Sequence, residues 1–593
     1  MAIISTKIST LVMATVIMSG SLARENSPMT YASKTQSINQ QQNSLLSDPF
    51  LQVPTENSVN VVWFTEFKGD RHIVKYGTNL KHQAGATTSK LTRVREDQES
   101  HISNPPPQSQ LRDVWRHEAI VTGLKSDRRL PYRVESTNKQ QTIISNIFTL
   151  ASNPTAEKPL KILLTSDHQL MPMTVANLAK VVETVDRVDG VFFPGDLVNV
   201  SDRASEWFDD RRGGAFFPSL QGKANYELER NGIKTIYKGG EIIQHAPLFP
   251  AIGNHEVMGR TSETTLKQEF NQPIPRQVAA EFYQQVAGKV NPTQDPQVKQ
   301  DWIKNNSFNI DTYEEIFSLP QSNSGGKRYY ATTFGNIRLI SLYVTSIWRS
   351  PNLAAEAQGR YKESNDNLDN PQAYGHGQHI FEPIKQGSQQ YQWLRQELNS
   401  DAFQQAKYKI VMLHHPPHTL GGNIVPPYTD PQPKPYYQQD KTLQSLYYEY
   451  PIENDYIIRD LIPLLESAGV QLVYYGHSHL WNRFQSDLGM HFLESSNVGN
   501  SYGAHTQDNP RLIPTYTPQN YIAVGNPNGL KPIVPSISPL TDETGNPLPY
   551  IASNDITVFS ILDTATGTIS SYRYDTRQPN SDVVKFDQFQ LDR

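Results

Sequence analysis

Short apolar runs that alternate with polar residues fill the chain between about residues 49 and 150. Alternation with a period of two is typical of strands that bury one face. Polar turns separate these runs, which are SVNVVWFTEF, HIVKYG, HEAIVTGL, LPYRVEST and SNIFTL. The pattern predicts a small β-sandwich over residues 49–152.

Beyond the Pro-containing joint ASNPTAEKPL the apolar runs become nearly continuous, which is typical of strands in a sheet covered on both faces. These runs are KILLTSD, GVFFPGD, PLFPAIGNHE, YKIVMLHH and VQLVYYGHSH. The segment TVANLAKVVETVDRVDG repeats apolar residues at helical spacing and predicts an amphipathic helix. We expect an α/β domain over residues 158–580, with polar insertions near 201–245, 260–330 and 422–440. The closing segment ITVFSILDTATGTISSYRYDT predicts a hairpin that closes a second sheet.

The first 23 residues have the pattern of a secretory signal peptide, with Lys7 before an apolar run that ends in Ser21-Leu22-Ala23. An N-terminal membrane anchor is the alternative, but the run is shorter than the roughly 20 residues that a spanning helix needs. Residues 24–48 are rich in Ser, Asn, Gln and Thr, which predicts a flexible leader. We expect a secreted or periplasmic protein with no membrane segment beyond the signal peptide.

Composition narrows the chemistry. The 593 residues are 37% hydrophobic and 19% charged, with a net charge of -5, as expected of a folded globular protein. No long basic stretch is present, so a nucleic acid partner is not expected. The chain has no cysteine, which excludes thiolate ligands and leaves His, Asp, Glu and Asn for any metal site. Composition leaves the oligomeric state open.

Each of the five buried-type runs ends in residues that can bind a metal. They are Asp167, Asp196, Asn254 with His255, His414 with His415, and His477 with His479. Taken singly, each has a structural explanation as a turn, a helix cap or a packed histidine. Ligands bind at the carboxyl ends of strands in α/β sheets, so we expect the five segments to converge on one site. A shared cation would explain why so many polar groups lie at buried strand ends.

Two carboxylates, one amide oxygen and three imidazoles suit Fe, Mn or Zn better than calcium. Six protein ligands are too many for one catalytic ion that must keep open positions, but they fit two ions that share a carboxylate. Such a pair can hold a bridging hydroxide as nucleophile and clamp phosphoryl oxygens. The ligand set therefore predicts hydrolysis of a small phosphorylated substrate.

The ordered segments SDHQ, PGDLVN, GNHE, MLHHP and GHSHLWNR resemble the motif series of the calcineurin-like metallophosphoesterases. The preceding VVWFTEF and VKYG resemble the fibronectin-III-like N-terminal domain of purple acid phosphatases, and SSYRYDT is similar to their closing hairpin. The resemblance covers most of residues 49–575. It implies a four-layer α/β/β/α domain preceded by a small fibronectin-III-like β-sandwich.

By this resemblance, Asp196 is the carboxylate that bridges two metal ions. Asp167 and His479 would hold the first ion. Asn254, His414 and His477 would hold the second ion. His255 would face the substrate as a phosphate ligand or as the general acid for the leaving oxygen.

The chain departs from this family at two positions. Gln169 stands where related enzymes carry a histidine for the first metal, and Asn199 stands where purple acid phosphatases carry an iron-binding tyrosine. Either amide is a candidate metal ligand or second-shell group, and the absence of the tyrosine predicts a colourless protein. Alternation along the strand directs His168 away from the site. His415 is expected to be either a substrate contact or a packed neighbour of His414.

Four further residues in nearby loops are candidates for phosphate binding: Arg260, Arg349, His418 and Tyr502. The function that we expect is acid phosphatase-like hydrolysis of phosphomonoesters by a binuclear metal centre. A phosphodiesterase or nucleotide hydrolase with the same metals is an alternative. So is a surface binding protein with weakened catalysis, because the first metal site has lost a histidine.

Overall fold

The computed structural model describes residues 44–261, 264–346, 359–424, 426–513, 521–525, 531–532, 545 and 548–591. The predicted signal peptide at residues 1–23, residues 24–43 of the predicted leader, and Arg349 lie outside these ranges. No helix in the described part of the chain is long and apolar enough to cross a bilayer.

The strands up to residue 150 form two antiparallel sheets and one short ladder. They are β1 (Phe50–Gln52), β2 (Ser58–Thr65), β3 (Arg71–Tyr76), β4 (His82–Gly85), β5 (Thr87–Lys90), β6 (Arg95–Glu96), β7 (Gln110–Leu111), β8 (Trp115–Thr122), β9 (Leu130–Asn138), β10 (Gln141–Ile144) and β11 (Phe148–Leu150). One sheet has the order β1-β2-β8-β5, the other has the order β10-β9-β3-β4 with β11 beside β9, and β6 pairs with β7. Val61 and Trp63 of the first sheet share an apolar cluster with Val74 and Val134 of the second. Two sheets that face one cluster form a sandwich; its likeness to fibronectin III stays a prediction.

The strands beyond residue 160 form two larger sheets and two hairpins. They are β12 (Lys161–Leu164), β13 (Gly190–Phe193), β14 (Tyr226–Arg230), β15 (Ile233–Tyr237), β16 (Leu248–Pro250), β17 (Tyr330–Phe334), β18 (Ile337–Ser341), β19 (Tyr408–Met412), β20 (Gln432–Tyr437), β21 (Leu443–Glu449), β22 (Leu472–Tyr475), β23 (Trp481–Gln485), β24 (His491–Ser495), β25 (Lys531–Pro532), β26 (Tyr550–Ile551), β27 (Ile556–Asp563), β28 (Thr568–Asp575) and β29 (Val584–Gln590). One sheet has the order β16-β13-β12-β27-β28-β29. The other has the order β17-β18-β19-β22-β24-β23-β25, with β26 beside β23.

Most of the helices follow or interrupt these strands. They are α1 (Thr174–Val185), α2 (Ala204–Phe208), α3 (Phe216–Leu220), α4 (Leu266–Phe270), α5 (Arg276–Val290), α6 (Pro296–Asn305), α7 (Asp311–Ile316), α8 (Gln389–Leu398), α9 (Asp401–Gln405) and α10 (Ile462–Ala468). Short 3₁₀ turns lie at Thr78–Leu80, Asn365–Asn367, Pro371–Ala373 and Ile452–Asn454, and a π-helical turn at Ile457–Leu461 leads into α10. The amphipathic helix predicted after the first run is α1.

Alternation within the buried strands explains the four layers. Ile162 of β12 meets Ile410 of β19 in the apolar cluster between the two large sheets. The adjacent residues Leu163 and Val411 face outward, where Leu163 packs with α1 and Val411 packs with α8 and α10. Because both faces of each sheet are covered, the strands are apolar at nearly every position. The structure therefore confirms the predicted α/β/β/α architecture.

The polar stretches that the sequence marks as insertions carry secondary structure of their own. Residues 201–245 contain α2, α3 and the β14-β15 hairpin, and residues 260–330 contain α4 to α7. Residues 422–440 contain β20, whose hairpin continues through β21 beyond the predicted end. The C-terminal hairpin was predicted to close a second sheet, but β27 pairs with β12 and so extends the first. Only tertiary pairing decides which edge a buried strand joins.

Candidate metal centre

The candidate ligands follow five parallel strands that belong to the two facing sheets. β12, β13 and β16 run parallel in one sheet, and β19 and β22 run parallel in the other. Each strand ends two to four residues before a candidate ligand: Asp167 after β12, Asp196 after β13, Asn254 after β16, His414 after β19 and His477 after β22. The carboxyl ends of both sheets thus deliver polar side chains to one edge of the sheet pair.

Several of these side chains leave strained turns. Asp167, Asp196, His477 and His479 have φ values of 56°, 58°, 76° and 57°, in the left-handed region. Residues other than glycine pay about 1 to 3 kcal/mol to adopt such a conformation, and these conformations cluster at functional sites. The surrounding structure must therefore hold the turns in place.

Four donor atoms converge on one side of Asp196. His414 Nε2 lies 3.0 Å from Asn254 Oδ1, 3.2 Å from His477 Nδ1 and 3.3 Å from Asp196 Oδ1. The side chains of Asn254, His414 and His477 are almost completely buried. We call these three residues, together with Asp196 Oδ1, the second donor group.

Asp196 also belongs to another group of donor atoms. One donor atom from each of Asp167, Asp196 and His479 lies within 4.8 Å of the others, and His479 Nε2 is 3.4 Å from Asp167 Oδ1. All three side chains are buried. We call Asp167, His479 and a carboxylate oxygen of Asp196 the first donor group.

Asp196 contacts both sides with different oxygens. Its Oδ1 faces His414, whereas its Oδ2 accepts a hydrogen bond of 2.6 Å from the side-chain amide of Gln169. The backbone N–H of His255 also donates to Oδ1, at 2.9 Å. Asp196 therefore belongs to both donor groups.

Hydrogen bonds to backbone carbonyls select the tautomers of two imidazoles. His414 Nδ1 donates to Pro194 O at 2.9 Å, and His479 Nδ1 donates to Asn500 O at 3.0 Å. In both residues Nε2 is then the ring nitrogen that faces the donor group. Metal-ligating histidines are commonly oriented by such contacts of the other ring nitrogen.

The donor separations fit metal ions. Nitrogen and oxygen ligands about 2.0 to 2.2 Å from one ion lie about 3.0 to 3.5 Å from each other, close to the spacings in both groups. The buried carboxylates also stabilise positive charge nearby. Although burial opposes ionisation, the Asp196 carboxylate raises the pKa of His414 to about 9. Carboxylate, amide and imidazole donors without thiolate suit Fe, Mn or Zn.

His255 lies beside the shared carboxylate. Its Nδ1 donates to Asn199 O at 2.6 Å, and its Nε2 lies 3.9 Å from Asp196 Oδ2. The ring packs against Phe270, with ring centroids 5.0 Å apart. The side chain is thus held by contacts on its far nitrogen while Nε2 faces the donor groups.

His415 has both ring nitrogens engaged by hydroxyl groups. Nδ1 lies 3.1 Å from Thr345 Oγ1, and Nε2 lies 3.1 Å from Ser346 Oγ. Its ring stacks on His477 with centroids 3.9 Å apart. Because one of its ligand atoms lies within 4.8 Å of those of His414 and His477, it can also be counted with a metal-binding cluster. The hydroxyl and stacking contacts favour a packed neighbour that orients His477.

The remaining sequence candidates divide into near and remote positions. Gln169 contacts Asp196, whereas the side chain of Asn199 is exposed and only its backbone carbonyl takes part in the site. His168 bonds to Thr165 and packs edge-on against Phe193, away from the donor groups as alternation predicts. Tyr502 stacks on His479 with centroids 5.2 Å apart.

Two other loop candidates contact groups outside the donor groups. His418 is buried, with Nε2 3.4 Å from Glu494. Arg260 lies over the ring of Phe282. These contacts give neither residue a place in the donor groups.

Two buried carboxylates that sequence reasoning missed hold the ligand turns. Glu256 accepts backbone N–H groups of Asp196 and Gly253, at 2.8 and 2.7 Å, so it ties two turns together. Burial and the nearby Asp196 charge raise the pKa of Glu256 to about 8. Glu494 accepts the backbone N–H of Ser478 at 2.9 Å, between two candidate ligands. Glu256 stands within the GNHE motif, but no sequence signal distinguishes Glu494.

Comparison with known proteins places the chain in a family. The sequence profile of the calcineurin-like phosphoesterases matches residues 160–480, a range that contains all the candidate ligands. No curated protein matches the chain significantly. Among solved structures, the purple acid phosphatase PPD1 from seeds of yellow lupin (Lupinus luteus) is similar with a TM-score of 0.48 and 13% identity. The match covers 91% of this chain and 73% of that one.

The family profile spans more than half of the chain and includes every strand end that carries a candidate ligand. The protein belongs to the calcineurin-like phosphoesterases and is a phosphoric ester hydrolase.

Proposed function

We propose that the protein is a binuclear metal-dependent phosphoesterase that hydrolyses small phosphomonoesters, an activity similar to that of acid phosphatases. The orientation of Asp196 carries this proposal. Its Oδ1 faces the imidazole of His414, and its Oδ2 faces the side of Gln169. One carboxylate that belongs to both donor groups is the arrangement expected of a bridge between two ions.

The donor groups assign roles to the remaining ligands. Asp167 and His479 would hold the first ion, and Asn254, His414 and His477 would hold the second. The donor types would suit Fe, Mn or Zn as divalent or trivalent ions. When bound, a metal pair supplies Lewis-acid stabilisation of phosphoryl oxygens and activation of water.

The protein's own residues orient and protonate the substrate. The backbone carbonyl of Asn199 holds His255 Nδ1, so that Nε2 faces the shared carboxylate. From this position Nε2 hydrogen-bonds a phosphoryl oxygen or gives a proton to the leaving oxygen. His415, with both nitrogens engaged, orients His477 instead of contacting the substrate. Export of the protein is part of the proposal and rests on the sequence of residues 1–23 alone.

The test combines metal analysis with two substrates. Chelated protein is reloaded with Mn, Zn or Fe, and its turnover of para-nitrophenyl phosphate and of the bis ester is compared. We expect two ions per chain and faster hydrolysis of the monoester. Faster hydrolysis of the bis ester would instead identify a phosphodiesterase. If folded protein with two bound ions hydrolyses neither ester, the result would favour a surface binding protein with weakened catalysis.

A further inference from the structure

Two amide side chains lie next to the first donor group. Gln169 Nε2 donates a hydrogen bond of 2.6 Å to Asp196 Oδ2. Asn500 Nδ2 donates one of 3.0 Å to Gln169 Oε1. The Asn500 amide is also 3.3 Å from His479 Nε2. The two amides therefore span the gap between the shared carboxylate and the imidazole of the first donor group.

Asn500 contacts His479 of the first donor group through both its backbone and its side chain. Its backbone carbonyl accepts the Nδ1–H of His479 and thereby directs Nε2 toward Asp167 in the first donor group. Its side-chain amide lies close to that same Nε2. One residue thus sets the tautomer of a candidate ligand and places a further polar group beside its donor atom.

The backbone at Gln169 is strained in the same way as the candidate ligands. Its φ is 44°, its side chain is buried, and its N–H bonds to Leu197 O at 3.2 Å. A left-handed conformation costs free energy at a residue other than glycine, and such strain is retained where it serves a site. Here it turns the side chain of Gln169 toward Asp196.

A rotation of both amides would turn their oxygens toward the first donor group. A terminal amide can turn by half a revolution, which exchanges its oxygen and nitrogen with little change of shape. If both turn, Gln169 donates to Asn500 instead of accepting from it, and their mutual hydrogen bond survives. The oxygens then face Asp196 Oδ2 and His479 Nε2. Two acceptors held this close repel each other unless a proton or a metal ion lies between them, and a bound ion would hold both oxygens after a small adjustment of the side chains.

We propose that Gln169 and Asn500 ligate the first metal ion through their amide oxygens and make that site selective for Mn²⁺ over Zn²⁺. This inference rests on the proposed binuclear function. The first ion would have one imidazole and otherwise oxygen donors, from Asp167, Asp196 and the two amides. Oxygen-rich sets suit manganese, whereas the second donor group, with two imidazoles, suits zinc or iron. The histidine missing at position 169 is then replaced by two weaker ligands.

Metal titration of the full-length chelated protein tests the proposal without reliance on activity. Bound Mn²⁺ is counted by elemental analysis and followed by its electron paramagnetic resonance signal. We expect Gln169→Leu and Asn500→Leu each to weaken one of the two Mn²⁺ sites by about 10-fold to 100-fold. Gln169→Glu and Asn500→Asp keep an oxygen and should keep Mn²⁺ binding. Gln169→His should shift the preference of that site toward Zn²⁺.

A matched control is Asn509→Leu, at an exposed asparagine of the following loop. It should bind both ions like the wild type, and thermal unfolding of the metal-free variants checks that each has folded. Two tight Mn²⁺ sites in folded Gln169→Leu and Asn500→Leu would overturn this inference alone. A wild type that binds no metal would instead remove the proposed function.

Discussion

The Nδ1–H of His255 donates a hydrogen bond of 2.6 Å to the backbone carbonyl of Asn199. The loop that carries this carbonyl is itself held, because Glu206 Oε2 accepts the N–H groups of Asn199 and Val200, each at 2.8 Å. Arg203 joins Glu206 to Asp97, a residue of the N-terminal β-rich region, at 3.0 Å on each side. A buried ionic chain therefore connects that region to the imidazole that faces the candidate metal centre.

Weakening the ionic contacts between Asp97, Arg203 and Glu206 should slow turnover without removing metal. Glu206→Gln loses the charge that Arg203 pairs with and loosens the loop that orients His255. We expect kcat to fall roughly 10-fold to 100-fold while KM and metal content change little, because misplacement of a reacting group acts mainly on the transition state. Steady-state kinetics and elemental analysis of the purified variant measure these quantities. Glu99→Gln removes a more exposed neighbour of Arg203 and serves as the control. A raised KM with unchanged kcat would contradict a role in positioning.

Removal of His255 itself should separate binding of metal from turnover. His255→Ala leaves every proposed ligand in place, so we expect two bound ions and a loss of kcat/KM of about 10² to 10⁴. Elemental analysis and para-nitrophenyl phosphate hydrolysis provide the two measurements. An unchanged rate in the metal-loaded variant would exclude His255 from the reaction.

The shared carboxylate should be required by both ions. Asp196→Ala removes an oxygen from each donor group, and His477→Ala removes an imidazole from the second. We expect both variants to lose metal during gel filtration and to lose activity. Asp301→Ala, on the exposed face of α6, should retain both. Full retention of two ions by folded Asp196→Ala would show that the carboxylate is no bridge.

The space beside Asp196 admits only glycine at position 253. A Cβ at Gly253 would lie 2.1 Å from Asp196 Oδ1 and 2.5 Å from its backbone nitrogen. Gly253→Ala should therefore push the carboxylate out of place and weaken metal binding by at least the 10-fold typical of a disturbed ligand. Gly288→Ala in α5 is the control, since a Cβ there meets nothing within 4 Å and should stabilise the helix by about 0.5 to 1 kcal/mol. Equal metal affinity in the two variants would refute the steric argument.

Acid should destabilise the N-terminal sandwich through His117. Its ring nitrogens contact Thr65 Oγ1 and Thr88 Oγ1, and its ring stacks on His72 with centroids 3.6 Å apart. Burial, with help from His72 and Arg116, lowers the pKa of His117 from 6.5 to about 3. The unfolded chain therefore binds the proton first, and stability present above pH 6.5 is lost as the pH falls toward 3.

The size of this effect can be measured by substitution. Between pH 8 and pH 5, His117 should account for roughly 2 kcal/mol of the decrease in unfolding free energy. His117→Gln should remove that part of the pH dependence in urea unfolding, whereas His82→Gln at an exposed position should not. The same decrease in His117→Gln as in the wild type would contradict a buried neutral imidazole.

Much of the site follows from local sequence pattern. An apolar run that ends in Asp167, Asp196 or His414 predicts a buried strand with a polar side chain at its carboxyl end, and the structure has these strands. The sequence also places His477 and His479 after a buried strand, but their left-handed backbone conformations direct them to different donor groups, which the spacing does not predict. Strands that are apolar on both faces also predict the layered α/β architecture, because alternate residues of such a strand pack against layers on opposite sides of the sheet.

The supporting contacts could not be predicted in this way. Glu256, Glu494 and Asp97 act on backbone or side-chain groups that are distant in the chain or lie in turns of unknown geometry. The local sequence around a Glu or Asp does not show whether its carboxylate accepts buried N–H groups or faces solvent. Asn500 similarly follows no motif, and its place beside His479 depends on how the loop after β24 returns to the site.

The amino-acid sequence by itself determined which residue types stand at the strand ends, and so the chemistry available to the protein. Periodicity and side-chain type are local properties, so they can be identified without knowing which segments pack together in the fold. Only the tertiary structure decided that the strands divide between two facing sheets, that Asp196 belongs to both donor groups, and that two amides lie where a histidine is missing. Those relationships depend on distances between segments far apart in the chain, which packing of the whole domain sets.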